Sequence, residues 1–343
     1  MRFEKVHLEG FGYALPEERV FSDQLEERVA PLYERLRLHV GRLELMSGIR
    51  ERRFWPVGTR PSSVATLAAE HALERSGFDR SRIGILIHAS VCRDFMEPAT
   101  ASVVHARLGL PPTCQAFDLS NACLGFANAM TVVAGMLERG EIEAGLVVAG
   151  EDGRPLVDET LAVLARNTEA GRADLKTAYA SLTIGSGAAA LVMTRADVAR
   201  SSRRLIGSVA LAATEHHELC SGDRAEGGGL LMETDSEALL HAGNALAART
   251  WEAFEQETSW TRQTVDRIVT HQVGAAHRKL LLETLELDPA KDFPTVETLG
   301  NIGSVSLPIS FALAEEAGFI EDGMRTSMLG IGSGLHCMML AVQ

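Results

Sequence analysis

Four short stretches of this 343-residue chain carry side chains able to do chemistry together. The first is Asn121-Ala122-Cys123, which follows the run Phe117-Asp118-Leu119-Ser120 and precedes Leu124-Gly125-Phe126. An apolar run, small polar residues, a cysteine, a glycine and then an amphipathic run through Leu137 predict a strand, a sharp turn and a helix, with the thiol at the turn. Free N–H groups at a helix start favour thiolate over thiol, so the expectation is an ionised nucleophile for acyl transfer. The same pattern also fits an inert cysteine buried in a strand-to-helix corner, and the other stretches must decide between them. Thr270-His271-Gln272 ends a short apolar run. Gly300-Asn301-Ile302-Gly303 is a glycine turn. Gly330-Ile331-Gly332-Ser333-Gly334 closes a strand tightly, and its backbone N–H groups can form an oxyanion hole. A histidine near the thiol can hold or shuttle its proton, and an asparagine can stabilise a thioester-derived anion.

The elements that must position these groups alternate along the chain. Strands are expected at 3–12, 83–89, 114–119, 145–149, 181–193, 205–213, 268–270, 327–331 and 336–342. Helices are expected at 23–38, 62–76, 100–108, after Cys123, and at 237–257, 275–287 and 305–317. Residues 151–179 read as a long polar excursion and 221–229 as a polar, glycine-rich loop. Alternating strands and helices argue for an α/β fold with parallel sheets. A charged break at 195–204 separates two halves, 1–198 and 199–343, that follow one plan without any sequence-level repeat. Cys123, His271 and Asn301 each fall at or just after the C-terminal end of a strand, where open α/β sheets place ligands.

Composition narrows the function. With 46% hydrophobic residues the chain can fill a large core. No apolar stretch approaches the ~18 residues of a membrane span, and Met1-Arg2-Phe3-Glu4-Lys5-Val6 lacks the apolar region of a signal peptide. Five widely spaced cysteines without a C-x-x-C pair argue against a disulfide framework or zinc site and for a cytoplasmic location. A net charge of −13 disfavours nucleic-acid binding. The basic run Arg50-Glu51-Arg52-Arg53 reads as a solvated, salt-bridged loop, or alternatively as a phosphate contact. His216 and His217 point apart on any regular element and are not expected to hold a metal.

The four motifs together, in this order and spread over the whole chain, resemble the thiolase-fold condensing enzymes, most closely the ketoacyl-acyl-carrier-protein synthase III branch. The stretch Ser90-Val91-Cys92-Arg93-Asp94-Phe95-Met96-Glu97-Pro98-Ala99-Thr100-Ala101-Ser102, with Leu137-Glu138-Arg139-Gly140-Glu141-Ile142, is similar to the OleA group, which joins two fatty acyl-CoA molecules head to head in bacterial long-chain olefin biosynthesis. The resemblance implies a duplicated α-β-α-β-α five-layer sandwich and a homodimer. It implies a Cys123-His271-Asn301 triad, oxyanion amides from Cys123 and Ser333, and Glu97 as a base supplied across the dimer interface. It implies acyl-CoA substrates, with coenzyme A as a thioester handle and no metal, flavin or nicotinamide cofactor.

The chemistry gives Glu97 a reason of its own. A condensation that loses CO₂ makes its carbanion without a base, whereas joining two plain acyl thioesters requires removal of an α-proton. A carboxylate beside a proline and shielded by Phe95 and Met96 would have the raised proton affinity of such a base; the same glutamate could instead cap the helix starting at Thr100. Decarboxylating relatives usually carry an asparagine and an arginine shortly after the His-Gln pair. Gly274 and Ala276 stand there, with Arg278 and Lys279 just beyond, which favours CoA over a carrier protein. Leu329 occupies the place of the second catalytic cysteine of true thiolases. The alternative is decarboxylative condensation with malonyl-carrier protein, or acyl transfer in a natural-product pathway.

Overall fold

The computed structural model describes residues 1–224 and 229–343. It contains two main sheets. One has five strands in the order Val6–Ala14, Gly187–Arg195, Ala144–Glu151, Ile83–His88 and Gln115–Asp118. The other has four, in the order Leu205–Ala212, His336–Val342, Thr326–Gly332 and Arg267–Thr270. In each, one end is antiparallel and the other parallel. The wholly parallel sheets expected from the alternation are therefore corrected to mixed ones. The reason is local at the second sheet: a tight turn between Gly332 and His336 can only reverse the chain, which forces an antiparallel pair. A parallel bridge from Ile268 to Asp292 lies where the first sheet has its fifth strand.

The strands sort their side chains with period two into separate cores. Val147, Ala149, Leu191 and Met193 face inward, whereas Leu146, Val148, Ala190 and Val192 face the opposite side. In the second sheet Met338, Leu340 and Val342 face inward, and Cys337, Met339 and Ala341 face out. The inward faces enclose helices Gly125–Arg139 and Ser306–Glu316. The latter is buried nearly all round, as a helix between two sheets must be, and Phe311 lies 4.7 Å from Phe11 between ring centroids. Helices Pro61–Ser76 and Thr100–Leu108 cover the first sheet's outer face. Ser236–Thr258 and Ala275–Thr284 cover that of the second. The result is five layers, α-β-α-β-α.

Three expectations change. The helix expected at 23–38 is broken into Ser22–Glu27 and Ala30–Arg35, followed by Arg42–Ser47, because Pro31 has no N–H for the carbonyl of Glu27. The polar excursion holds helices Arg154–Arg166 and Arg172–Leu182, which pack on that broken segment in a satellite core. The loop expected at 221–229 lies partly outside the described residues, and its described flanks pair as antiparallel strands Cys220–Arg224 and Leu230–Thr234. Among the described residues no helix is long and apolar enough to cross a membrane.

Candidate active site

Cys123 occupies the turn between strand Gln115–Asp118 and helix Gly125–Arg139. The turn is tight: Ala122 has a positive φ of 45°, a conformation that costs an L-residue energy and is tolerated only where surroundings enforce it. Glycines create those surroundings. A Cβ on Gly125 would meet the carbonyl oxygen of Ala89 at 2.8 Å, and one on Gly330 would meet Leu124 at 2.5 Å. The glycine-rich strand of the second half thus lets the cysteine turn of the first half lie directly against it.

His271 follows strand Arg267–Thr270, and its backbone N–H donates to the carbonyl of Leu329 at 2.8 Å. Its neighbours fix the strand end. Thr270 donates its backbone N–H and hydroxyl to the buried carboxylate of Asp292, which pairs with Arg278. The amide of Gln272 donates to the carbonyl of Phe293 and accepts from the N–H groups of Thr295 and Val296. Gln272 thereby ties the histidine to the segment leading to Asn301. Asn301 is held on both sides: its N–H donates to Thr183, its carbonyl accepts from Gly185, and its Oδ1 accepts from the N–H of Gly303. With Oδ1 occupied, the amide NH₂ remains as the donor for a ligand.

Cys123, His271, Asn301 and Ser333 line one cavity of about 690 Å³. Elsewhere its wall is largely apolar, with Leu156, Leu231, Met232, Leu239, Leu240 and Ile331 among the contributors. The long helix Ser236–Thr258, capped by Asp235, supplies two of these leucines. Glu97 is absent from this wall. It sits in an exposed loop, and the shielding expected from Phe95 and Met96 is corrected, because Met96 is 90% exposed and Phe95 41% in the single chain. The basic run is not solvated throughout. Arg52 is fully buried, donating to Ser22 and Leu182, and Arg50 pairs with Glu297.

The electrostatics overturn the expected thiolate. Burial, reinforced by the negative field of Glu151, pushes the Cys123 thiol up to about 12. The helix begins only at Gly125, two residues beyond the thiol. His271 is fully buried, and desolvation with the neighbouring His277 lowers it to about 3. Its ring nitrogens have no hydrogen-bond partner among the described residues. The resting pair is a neutral thiol and a neutral imidazole, ready to accept the thiol's proton as sulfur attacks a carbonyl.

Two residues at the site escaped the sequence reading. His277, in the first turn of helix Ala275–Thr284, lines the cavity and is held neutral by desolvation, at about 4. Glu151 ends strand Ala144–Glu151 and also lines the cavity. The sequence carries one signal for Glu151: with Asp152 it terminates the uninterrupted apolar run Leu146–Gly150, at a strand's C-terminal end.

Models of 3-oxoacyl-[acyl-carrier-protein] synthase III match residues 117–213 and, for its C-terminal part, 256–343. The chain is 40% identical to an acyl-CoA:acyl-CoA alkyltransferase of Shewanella oneidensis, covering all of both chains. It is 37% identical to the enzyme of that description from Xanthomonas campestris, covering all of this chain and 99% of the other. A crystal structure of Xanthomonas campestris OleA superposes with a TM-score of 0.95 over 100% of this chain and 97% of that one. Other structures of that protein contain cerulenin, or lauric acid and lauroyl-CoA. The chain belongs to the ketoacyl synthase III-like acyltransferases of thiolase fold, in the acyl-CoA:acyl-CoA alkyltransferase branch.

Proposed function

We propose that this enzyme joins two fatty acyl-CoA molecules by a non-decarboxylative Claisen condensation and yields a β-keto acid. The observation that carries the reading is one apolar-walled cavity in which a thiol, a neutral imidazole, a side-chain amide and a glycine-turn serine meet from four distant stretches. Such a cavity suits an alkyl chain with a reacting carbonyl at its polar end. The S. oneidensis and X. campestris relatives are described as acyl-CoA:acyl-CoA alkyltransferases, and a structure of X. campestris OleA contains bound lauroyl-CoA.

The Cys123 sulfur attacks the first thioester carbonyl while its proton passes to His271. The tetrahedral oxyanion rests on the amides of Cys123 and Ser333, and the C–S bond to CoA breaks as His271 returns the proton to the departing thiolate. A second acyl-CoA then loses an α-proton to Glu97 of the partner subunit, with His271 and Asn301 holding its thioester oxygen. The enolate carbon attacks the acyl group on Cys123. A C–C bond forms, the bond to Cys123 breaks, and the departing thiolate takes up a proton while Glu97 gives up the one it removed, so thiol and carboxylate are both restored. Water cleaves the resulting β-ketoacyl-CoA to the β-keto acid and CoA. No redox or metal step is required, so coenzyme A serves as a handle rather than a resident cofactor.

A homodimer is part of this reading. Glu97 lies outside its own chain's cavity, in a loop whose Val91, Phe95 and Met96 are exposed apolar residues of the kind a partner covers. In the X. campestris structures the substituted glutamate and cysteine are 26 positions apart, as are Glu97 and Cys123. Five unpaired cysteines fit a cytoplasmic setting. The test is mass spectrometry of products from myristoyl- or decanoyl-CoA. The expected product is a β-keto acid, or the ketone it gives on losing CO₂ afterwards, formed without malonyl-carrier protein and lost in Glu97→Gln. A strict requirement for malonyl-carrier protein would instead establish decarboxylative condensation.

A further inference from the structure

Glu151 is 5% exposed, yet among the described residues no cation pairs with it. Its carboxylate is held by neutral donors: the N–H of Val91 at 2.9 Å, the N–H of Cys92 at 3.2 Å, the hydroxyl of Ser304 at 2.5 Å and the Cys92 thiol. A buried carboxylate without a counter-charge costs stability relative to a neutral side chain of the same shape. Such a group at a cavity wall calls for a role in the site.

Its contacts indicate that role. Val91 and Cys92 begin the loop that ends in Glu97. Ser304 follows the Asn301 turn, whose Gly303 lies against the same carboxylate: a Cβ there would be 3.6 Å from Glu151. Trp55 donates its indole N–H to the backbone carbonyl of Glu151 at 3.0 Å and fixes the strand end. The cavity wall also carries the titratable groups Cys92, Cys123, Asp152, Lys176, Tyr179, Cys220, Asp223, His271 and His277.

We infer that Glu151 is a positioning residue for the condensation, one carboxylate clamping both the Glu97 loop and the Asn301 turn to the strand end beside the Cys123 thiol. The inference rests on the reading of Glu97 as the base. Its second consequence concerns the thiol directly: desolvation already disfavours the thiolate, and the Glu151 carboxylate, once ionised, adds a charge beside Cys123 that opposes ionisation further.

The experiment compares Glu151→Gln, Glu151→Asp and Glu97→Gln in the full-length enzyme. It measures acyl transfer to Cys123, steady-state condensation, and the pH dependence of Cys123 alkylation by iodoacetamide, read by intact mass. In E151Q the charge disappears while the shape is retained. Its alkylation profile is expected to move to lower pH, and condensation to fall by about 10²-fold in kcat with acyl transfer much less affected, the scale of loss for misplaced reacting groups. E151D keeps the charge but shortens the reach, so its alkylation profile should stay with the wild type while condensation remains slow. An unmoved profile in E151Q, or acyl transfer and condensation falling in the same proportion, would overturn the inference. E97Q reports separately: its alkylation profile should match the wild type. If it condenses normally, the base assignment fails, and the clamp on its loop fails with it, whatever E151Q shows.

Discussion

At the scale of single residues the site is built on neutrality. Desolvation disfavours the charged form of both Cys123 and His271, and their neighbours Glu151 and His277 act in the same direction, so neither is ionised at rest. The cost of holding an imidazole neutral is visible in stability. The folded His271 titrates at about 3, against the usual 6.5. Between those values the unfolded chain binds a proton that the folded chain does not. Stability from this residue is therefore complete above about pH 6.5 and is lost as the pH falls toward about 3. His88 and His277, also held neutral at about 4, contribute in the same direction, whereas burial raises Glu151 and Asp292 and opposes it. Comparison with His271→Asn isolates one term. Below pH 6.5 the wild type should lose about 1.4 kcal/mol per pH unit more than the variant, as read from urea unfolding at pH 7, 6 and 5. Parallel stability curves would show that His271 takes up a proton in the fold.

At the scale of elements, glycine turns let the loops approach. Gly300 has φ 67° and ψ −162°, a conformation essentially confined to glycine, and a Cβ there would lie 2.6 Å from the carbonyl oxygen of Thr183. Gly300→Ala should therefore cost more than the ~1–3 kcal/mol of backbone strain alone. Because Asn301 is next in the chain, it should also slow condensation out of proportion to the loss of folded protein. Thermal unfolding and the activity of the remaining folded fraction, measured together, check this; wild-type kcat in the folded fraction would show that Asn301 is placed independently of the turn. The sequence made these turns legible because glycine, strand run and polar residue occur in a fixed local order. It did so for Cys123, His271, Asn301 and Ser333 alike. Glu151 was legible only as a carboxylate at the end of an apolar run; its burial depends on donors near 91 and 304, remote in the chain. The break at Pro31 was readable but outweighed by apolar periodicity. The strand direction in each sheet depended on connections that periodicity does not encode.

At the scale of the molecule, one sheet draws only on residues 6–195 and the other only on 205–342, with matching strand order apart from the fifth position. On that pattern we propose that 1–198 and 199–343 are duplicated halves. The cavity lies where the halves meet, which explains why the triad is shared between them. The proposed base, Glu97, lies outside this cavity, and symmetry turns the proposal into a sharp prediction. In the proposed two-fold dimer each site would take Cys123 from one protomer and Glu97 from the other. Cys123→Ala and Glu97→Gln homodimers should both fail to condense. Carry the two variants on differently tagged chains and purify the mixed dimer through both tags. One of its sites then combines both defects, and the other combines neither. The mixed dimer should condense at about half the wild-type rate, because one of its two symmetry-related sites is intact. If Glu97 served its own chain, every site in the mixed dimer would lack either nucleophile or base, and activity would stay at background.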